Sequence, residues 1–509
     1  MADISNGKRL TINTLFLYIR MIFVLFITLF TSRIILNNLG VVDFGVYNVV
    51  AGVITFVAFL NTALQVSAQR YLSFEIGKGN EGDVPKVLKN NLVMFMIMAI
   101  IIFIIIEPFG YIMVNYKLTI PPERLNAANI VLHTSSLILF LSVLQSPFTG
   151  LLASMENFRV YSIIGIIEAI TKFLSAYLIV YLSFDRLIIY GYLLLVSAGI
   201  IFISYQIVCI RLYPQLFTNA IKRNASWKDI YEIAKFSGWN VFGALSIVTL
   251  NQGLNILLNI FFSPIVNAAR AISQQINSAV YAFVANIHAA IIPQLTKSYA
   301  EGDRGYMRKI TLVGCKFSYY LILILFIPLF YYSEPVLQLW LGSVPEYASN
   351  FVKLTLLNTI IDPTGGIISG VIQATGKIRN YQVIIGVIFV LTLPISYIFL
   401  KLGYSPYIVF IVNIVITLVN MICRFAFVKN IIQIGTRQLI NYLMRIYGCL
   451  LFCACFTGIV YQFCANTILG LLCFTLLSLI ICSIIIIIYG LNKEEKLYVL
   501  SIIVKKIKK

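Results

Sequence analysis

The residues of this chain that could do chemistry are few and sit inside apolar stretches. Arg270, Gln274, Asn277 or Ser278, and Tyr281 recur at intervals of three and four, so on a helix they share one face. Just upstream, Asn251, Asn255 and Asn259 repeat at every fourth residue. Two neighbouring polar stripes suit a shared aqueous cavity, or hydrogen bonding from helix to helix. Arg20 lies roughly 10 Å into the first apolar stretch at 1.5 Å per residue. Glu168 and Lys172 stand one turn apart, as a self-neutralised pair or as part of a cavity wall. Asp362 lies deep in an apolar run and is followed by Pro363-Thr364-Gly365-Gly366, which must interrupt a helix. A carboxylate at such a break suits a coupling-ion site, and equally the cap of the following half-helix. His288 is a candidate proton carrier or a hydrogen-bonded helix contact. Lys316 has no local partner, and Lys235, Lys353, Arg33 and Arg70 lie near enough to helix ends to reach the interface.

These residues need an unusual setting, and composition supplies it. Of 509 residues, 60% are hydrophobic and 11% charged, against about 45–50% and about 25% in soluble domains. About 20 apolar residues cross a bilayer as a helix. On that measure spans fall near 13–36, 44–72, 90–114, 127–153, 159–182, 187–210, 231–261, 264–296, 308–332, 351–375, 380–400, 406–428, 441–462 and 467–490. The expected fold is therefore all-α, a polytopic membrane protein of about 14 transmembrane helices. The net charge of +19 comes from basic residues between the spans, a matter of membrane topology and not of nucleic-acid binding. With the N-terminus inside, the inner segments hold 26 Lys and Arg and the outer ones 4. Both termini are then cytoplasmic in a bacterial inner membrane. The nine cysteines lie in or beside apolar runs and read as small hydrophobes, and no grouping of residues suggests a metal or another cofactor.

Weak self-similarity divides the chain. Tyr71 to Asn80 aligns with Gln294 to Asp303 at a shift of 223, and Gly150-Leu151-Leu152-Ala153 with Gly370-Val371-Ile372-Gln373 at 220. Six spans per repeat give an N-terminal lobe over 1–222 and a second over 223–437, related by a pseudo-twofold axis along the membrane normal. A further helix pair and a basic tail occupy 438–509.

Leu39-Gly40-Val41-Val42-Asp43-Phe44-Gly45-Val46-Tyr47-Asn48, and Ala268-Ala269-Arg270-Ala271-Ile272 through Pro293-Gln294 to Asp303, resemble segments of the multidrug, oligosaccharidyl-lipid and polysaccharide exporter superfamily. Within it the chain looks like the polysaccharide or O-antigen flippases. The resemblance implies alternating access: a cavity between two lobes takes up a lipid-linked oligosaccharide from the cytoplasm and reopens outward. Arg20, Arg270, Lys172, Gln274, Asn251 and Asn255 are the expected substrate-binding residues. Asp362, Glu168 and His288 are the candidates for coupling to a proton or sodium gradient. Other polysaccharide-assembly membrane proteins are candidate partners beside the bilayer and the glycan. A multidrug exporter coupled to cations and a lipid II flippase share the fold. The deep charges, Arg20, Lys172, Arg270 and Lys316 against Glu168 and Asp362, favour an anionic substrate. No phosphate-cradling loop or nucleophile arrangement points to an enzyme.

Overall fold

A computed structural model describes residues 2–118, 120–182, 184–262, 264–342, 344–464, 467–492 and 495–496. The side chains of residues 2–10, 29, 32–33, 36–37, 41, 51–58, 264 and 468 are outside this description, so the anchor expected at Arg33 and the basic residues Lys8, Arg9, Lys493, Lys505, Lys506, Lys508 and Lys509 are as well. Every regular element among the described residues is helical: α1 (Ala2–Gly77), α2 (Val84–Ile112), α3 (Leu125–Ser154), α4 (Phe158–Leu178), α5 (Arg186–Leu212), the short α6 (Pro214–Lys222), α7 (Trp227–Phe261) and α8 (Pro264–Glu301). There follow α9 (Arg304–Tyr331), the short α10 (Ser333–Leu341), α11 (Ala348–Ile361), α12 (Gly365–Ala374), α13 (Arg379–Lys401), α14 (Tyr407–Ile431), α15 (Thr436–Gln462) and α16 (Ile468–Ile485).

Local sequence explains where these helices start and break. Asp83 caps α2 by accepting from the Lys86 amide, ahead of a proline in the first turn. Asp185 caps α5 through the Leu187 and Ile188 amides. The 76-residue α1 is broken at Gly40, whose φ of 79° and ψ of 170° suit only glycine. That break falls between the first two expected spans. Thirteen helices among the described residues are long and apolar enough to cross a membrane, and the segment of α1 after Gly40 is the remaining span of the sequence count.

Two compact units emerge. The first comprises residues 1–245, 289–303 and 373–383, and the second 246–288, 304–372 and 384–509. In the first, α1 through α5 pack around Leu64, Phe95, Val131 and Val143, with a second cluster about Leu88, Leu151 and Tyr205. Arg124 ties α1 to the cap of α5 in this unit by bridging Asp43 and Asp185, both at 2.5 Å. In the second, Leu254, Tyr319, Phe326, Phe351, Phe410 and Phe474 share one core. The rings of Phe351 and Phe410, 4.3 Å apart, lock α11 to α14. In that unit Tyr320 donates to the Gly490 carbonyl and Tyr331 to that of Ala454, which joins the last two spans to α9.

Candidate functional site

Within the second unit the two polar stripes meet. Arg270 on α8 is only 3% exposed, and its guanidinium donates to the side-chain oxygens of Asn255 and, at 3.4 Å, Asn251 on α7. A guanidinium carries five N–H donors, and among the described residues Arg270 has no carboxylate partner. It borders a cavity of about 180 Å³ together with Asn251, Gln274 and Asn277. Asn259, the last member of the α7 stripe, is exposed and does not line it. The opposite wall had not been expected: Thr355 and Asn358 come from α11, Asn413 and Thr417 from α14. Their spacing of three and four on helices was the available signal. The Thr355 hydroxyl and the Asn358 and Asn413 side-chain oxygens are buried without hydrogen-bond partners, so the wall has polar capacity that its own atoms do not fill.

Beside this cavity the helix interruption expected at Asp362 is present, with α11 ending at Ile361 and α12 starting at Gly365. Asp362 accepts from the Thr364 hydroxyl at 3.2 Å and lies against the Gly365 backbone, the position of a cap. It is also ion-paired with Arg424 of α14, both side chains being largely buried. Arg424, which the sequence places among the inner-loop charges, is thus the partner of the deepest acid. Its guanidinium stands 5.8 Å from the centre of the Phe389 ring, which also lines the Arg270 cavity. His288 is 5% exposed and presses its ring on Gly366, where any Cβ would collide with it. Its Nε2 has no partner.

The remaining expected site residues are elsewhere. In the first unit Arg20 lies over the Tyr161 ring at 4.6 Å in space left by Gly165, and its Nε is buried without an acceptor. Lys172 pairs with Glu168 at 2.6 Å. In the second unit Lys316 has a partner after all, Glu495, at 2.8 Å. The charge balance read from sequence therefore changes, since Lys172 and Lys316 are neutralised. Two further paired acids had been overlooked: Glu107 of α2 against His133 of α3, and Glu156, in the turn between α3 and α4, against Lys297 of α8. What survives is the cationic character of the Arg270 cavity in the second unit and, in the first unit, Arg20.

Comparison with known proteins now bears on the arrangement. The family profile MatE matches the chain twice, over residues 17–178 and 241–398. The chain belongs to the MatE family. The two matches start about 224 residues apart, the period of the internal repeat. No curated protein matches in sequence. Among solved structures, a MATE protein in a bent conformation aligns with a TM-score of 0.73 at 16% identity, covering 84% of this chain and 96% of that one. An outward-facing multidrug resistance MATE transporter of the MOP superfamily aligns at 0.68 and 16%, covering 83% and 95%. A MOP superfamily transporter from Pyrococcus furiosus Vc1 (DSM3638), described as having a binding pocket of reversed polarity that suggests a different function, aligns at 0.68 and 15%, again covering 83% and 95%. At these identities the likeness is one of fold. This MatE-family chain is accordingly a polytopic membrane protein with the fold of a transporter.

Proposed function

We propose that this protein is an alternating-access exporter of a negatively charged amphiphile, with both termini on the cytoplasmic side of a bacterial inner membrane. A sugar carried on polyprenyl pyrophosphate is the substrate class that suits it best. One observation carries the reading: Arg270 is buried beside a cavity lined by amides and hydroxyls, with no acid among the described residues to neutralise it. A charge held that way is costly unless a counter-charge arrives, and a guanidinium is the side chain best shaped to grip a phosphate bidentately. Asn251 and Asn255 orient Arg270, while Gln274 and Asn277 supply neutral hydrogen bonds to a polar head group. Asp362, paired with Arg424 at the helix break, and His288 beside it are the residues to which gradient coupling is assigned.

Export of cationic drugs is the second reading. The multidrug transporters among the solved relatives support it better than they support the flippase, whereas a basic cavity would repel a cationic drug. The relative described as having a pocket of reversed polarity makes a switch of substrate charge on this fold a reasonable expectation. The two readings separate in reconstituted vesicles. The parent should flip a fluorescent lipid-linked oligosaccharide, Arg270→Lys should slow it about tenfold by losing the guanidinium fork, and Arg270→Ala should reduce it about a hundredfold, for a lost charge-assisted contact of roughly 3 kcal/mol. Export of a cationic dye by the parent, undiminished in Arg270→Ala and without lipid flipping, would replace the first reading with the second.

A further inference from the structure

A second cleft, sharing no residue with the Arg270 cavity, lies in the first unit. It measures about 370 Å³ and is bounded by the end of α1, the early turns of α7 and the turn that leads into α13. Three of its lining residues, Lys235, Lys377 and Arg379, are basic, and one, Glu232, is acidic. Among the described residues none of the three cations has a carboxylate partner. Arg379 is instead held 5.4 Å over the Trp239 ring, within cation–π reach. Beside the polar Asn380, the rest of the wall is Gly376 and the apolar or aromatic residues Tyr71, Phe236, Trp239 and Ile378, of which Phe236 and Ile378 are buried.

The cleft is built on a fixed frame. Arg70 donates to the Gln373 and Ala374 carbonyls, both at 3.2 Å, and so pins the end of α12 and the turn beyond it. Gly376 in that turn has a φ of 75°, and a Cβ there would meet Arg70 Nη2 at 2.7 Å. Tyr71 donates to the Glu232 carbonyl at 3.1 Å, joining α1 to α7. The place along α7 matters too. The helix opens with Trp227-Lys228-Asp229 and carries no charged residue after Lys235, so Lys235 and Trp239 mark the level where head groups meet acyl chains. This is the end of the spans that carries most of the basic residues.

We propose that this cleft binds the phosphate of an anionic phospholipid from the adjoining leaflet. Lys235, Lys377 and Arg379 surround the phosphate, and the Trp239, Phe236 and Ile378 surface receives the glycerol and the first methylenes. A soluble anion would use only the charges, whereas a lipid uses both the charged rim and the apolar wall. Basic pockets between membrane helices on the cytoplasmic side suit such head groups. The occupant would span α1, α7 and the turn before α13, and so brace the same contacts that Arg70 makes.

The test uses the full chain, purified from nanodiscs of equal phosphatidylglycerol and phosphatidylcholine, with retained lipid counted by native mass spectrometry. The parent should retain phosphatidylglycerol at least tenfold over phosphatidylcholine. The variant Lys235→Gln/Lys377→Gln/Arg379→Gln should lose that preference at an unchanged unfolding temperature. Removing as many charges from the exposed Arg211, Lys222 and Lys228 should leave it intact. Equal loss in both triple variants would reduce the effect to general surface attraction and overturn the site. Equal retention of the two lipids by the parent, or displacement of the lipid by millimolar glycerol 3-phosphate, would overturn it too. Glu232→Gln provides an arm independent of the folding of the triple variant: removing the only acid in the cleft should raise phosphatidylglycerol retention, and a fall would count against the proposal.

Discussion

Single residues were legible in this sequence by type and misjudged by partner. The α7 and α8 stripes converge on one cavity because period alone places Asn251, Asn255, Arg270 and Gln274, and no distant contact was needed to find them. Arg424 and Glu495 were missed as partners because 62 residues separate Asp362 from Arg424 and 179 separate Lys316 from Glu495, and no local rule relates residues so far apart. The Asp362–Arg424 pair has a consequence that can be measured. Breaking a buried ion pair leaves one charge without a partner and costs about 3–5 kcal/mol, whereas neutralising both sides costs much less. Asp362→Asn alone should therefore lower the unfolding temperature by several degrees, and Asp362→Asn/Arg424→Gln should recover most of it. Transport read in the double variant then isolates the coupling role. If Asp362 carries the coupled ion, the recovered protein should lose its dependence on the gradient. Gradient dependence equal to the parent's would return Asp362 to capping and pairing.

At the scale of elements, breaks were easier to foresee than contacts. Gly40 and the Asp362 to Gly366 run announce themselves through glycine and proline chemistry, and the helices are interrupted at both places. The wall built from Thr355, Asn358, Asn413 and Thr417 was overlooked, although its spacing is as regular as that of the stripes, because hydroxyls and single amides cost little in a membrane helix and so do not stand out. Contacts between helices depend on small residues whose role is visible only in three dimensions. Gly77, at the end of α1, is one: a Cβ there would lie 2.6 Å from the Lys297 carbonyl oxygen and 2.7 Å from its Cα. Both are backbone atoms of α8 and cannot rotate away. Gly77→Ala should therefore force the two helix ends apart at a cost of about 1–3 kcal/mol, seen as a lower unfolding temperature. An alanine at Gly199, where a Cβ meets nothing within 4 Å, should leave that temperature unchanged or slightly higher. Equal effects at the two positions would mean that α1 and α8 are not in tight register.

For the whole molecule, the duplication was readable because two short alignments shared nearly one period, and the MatE profile matches twice at that period. The grouping of residues into units was not readable. The ends of α7 and α8 and the 373–383 turn, all from the second repeat, belong to the compact unit that contains the first repeat. Polar ties within that unit account for this. Lys297 of α8 pairs with Glu156 at 2.6 Å, and Gln294 donates to the same carboxylate at 3.2 Å. Gln382 donates to Asn240 at 3.0 Å, and Asn240 to Ser67 at 3.5 Å. Glu156 holds a φ of 56°, a left-handed backbone that costs of order 1–3 kcal/mol in a residue other than glycine and persists where its surroundings enforce it. If the protein works by the alternating access proposed above, these ties would have to open and reform, and their location at the basic-rich end would make them the closure on that side. Loss of one buried partner should favour the open state. Glu156→Gln, measured by hydrogen exchange in lipid nanodiscs, should raise exchange in 289–303 and in 373–383 by about tenfold, the effect of weakening closure by roughly 1.4 kcal/mol. The exchanged pair Glu156→Lys/Lys297→Glu should restore protection if the attraction matters more than the order of the charges. Unchanged exchange in Glu156→Gln would show that packing at Gly77 and the Arg70 contacts hold this end shut without the ion pair.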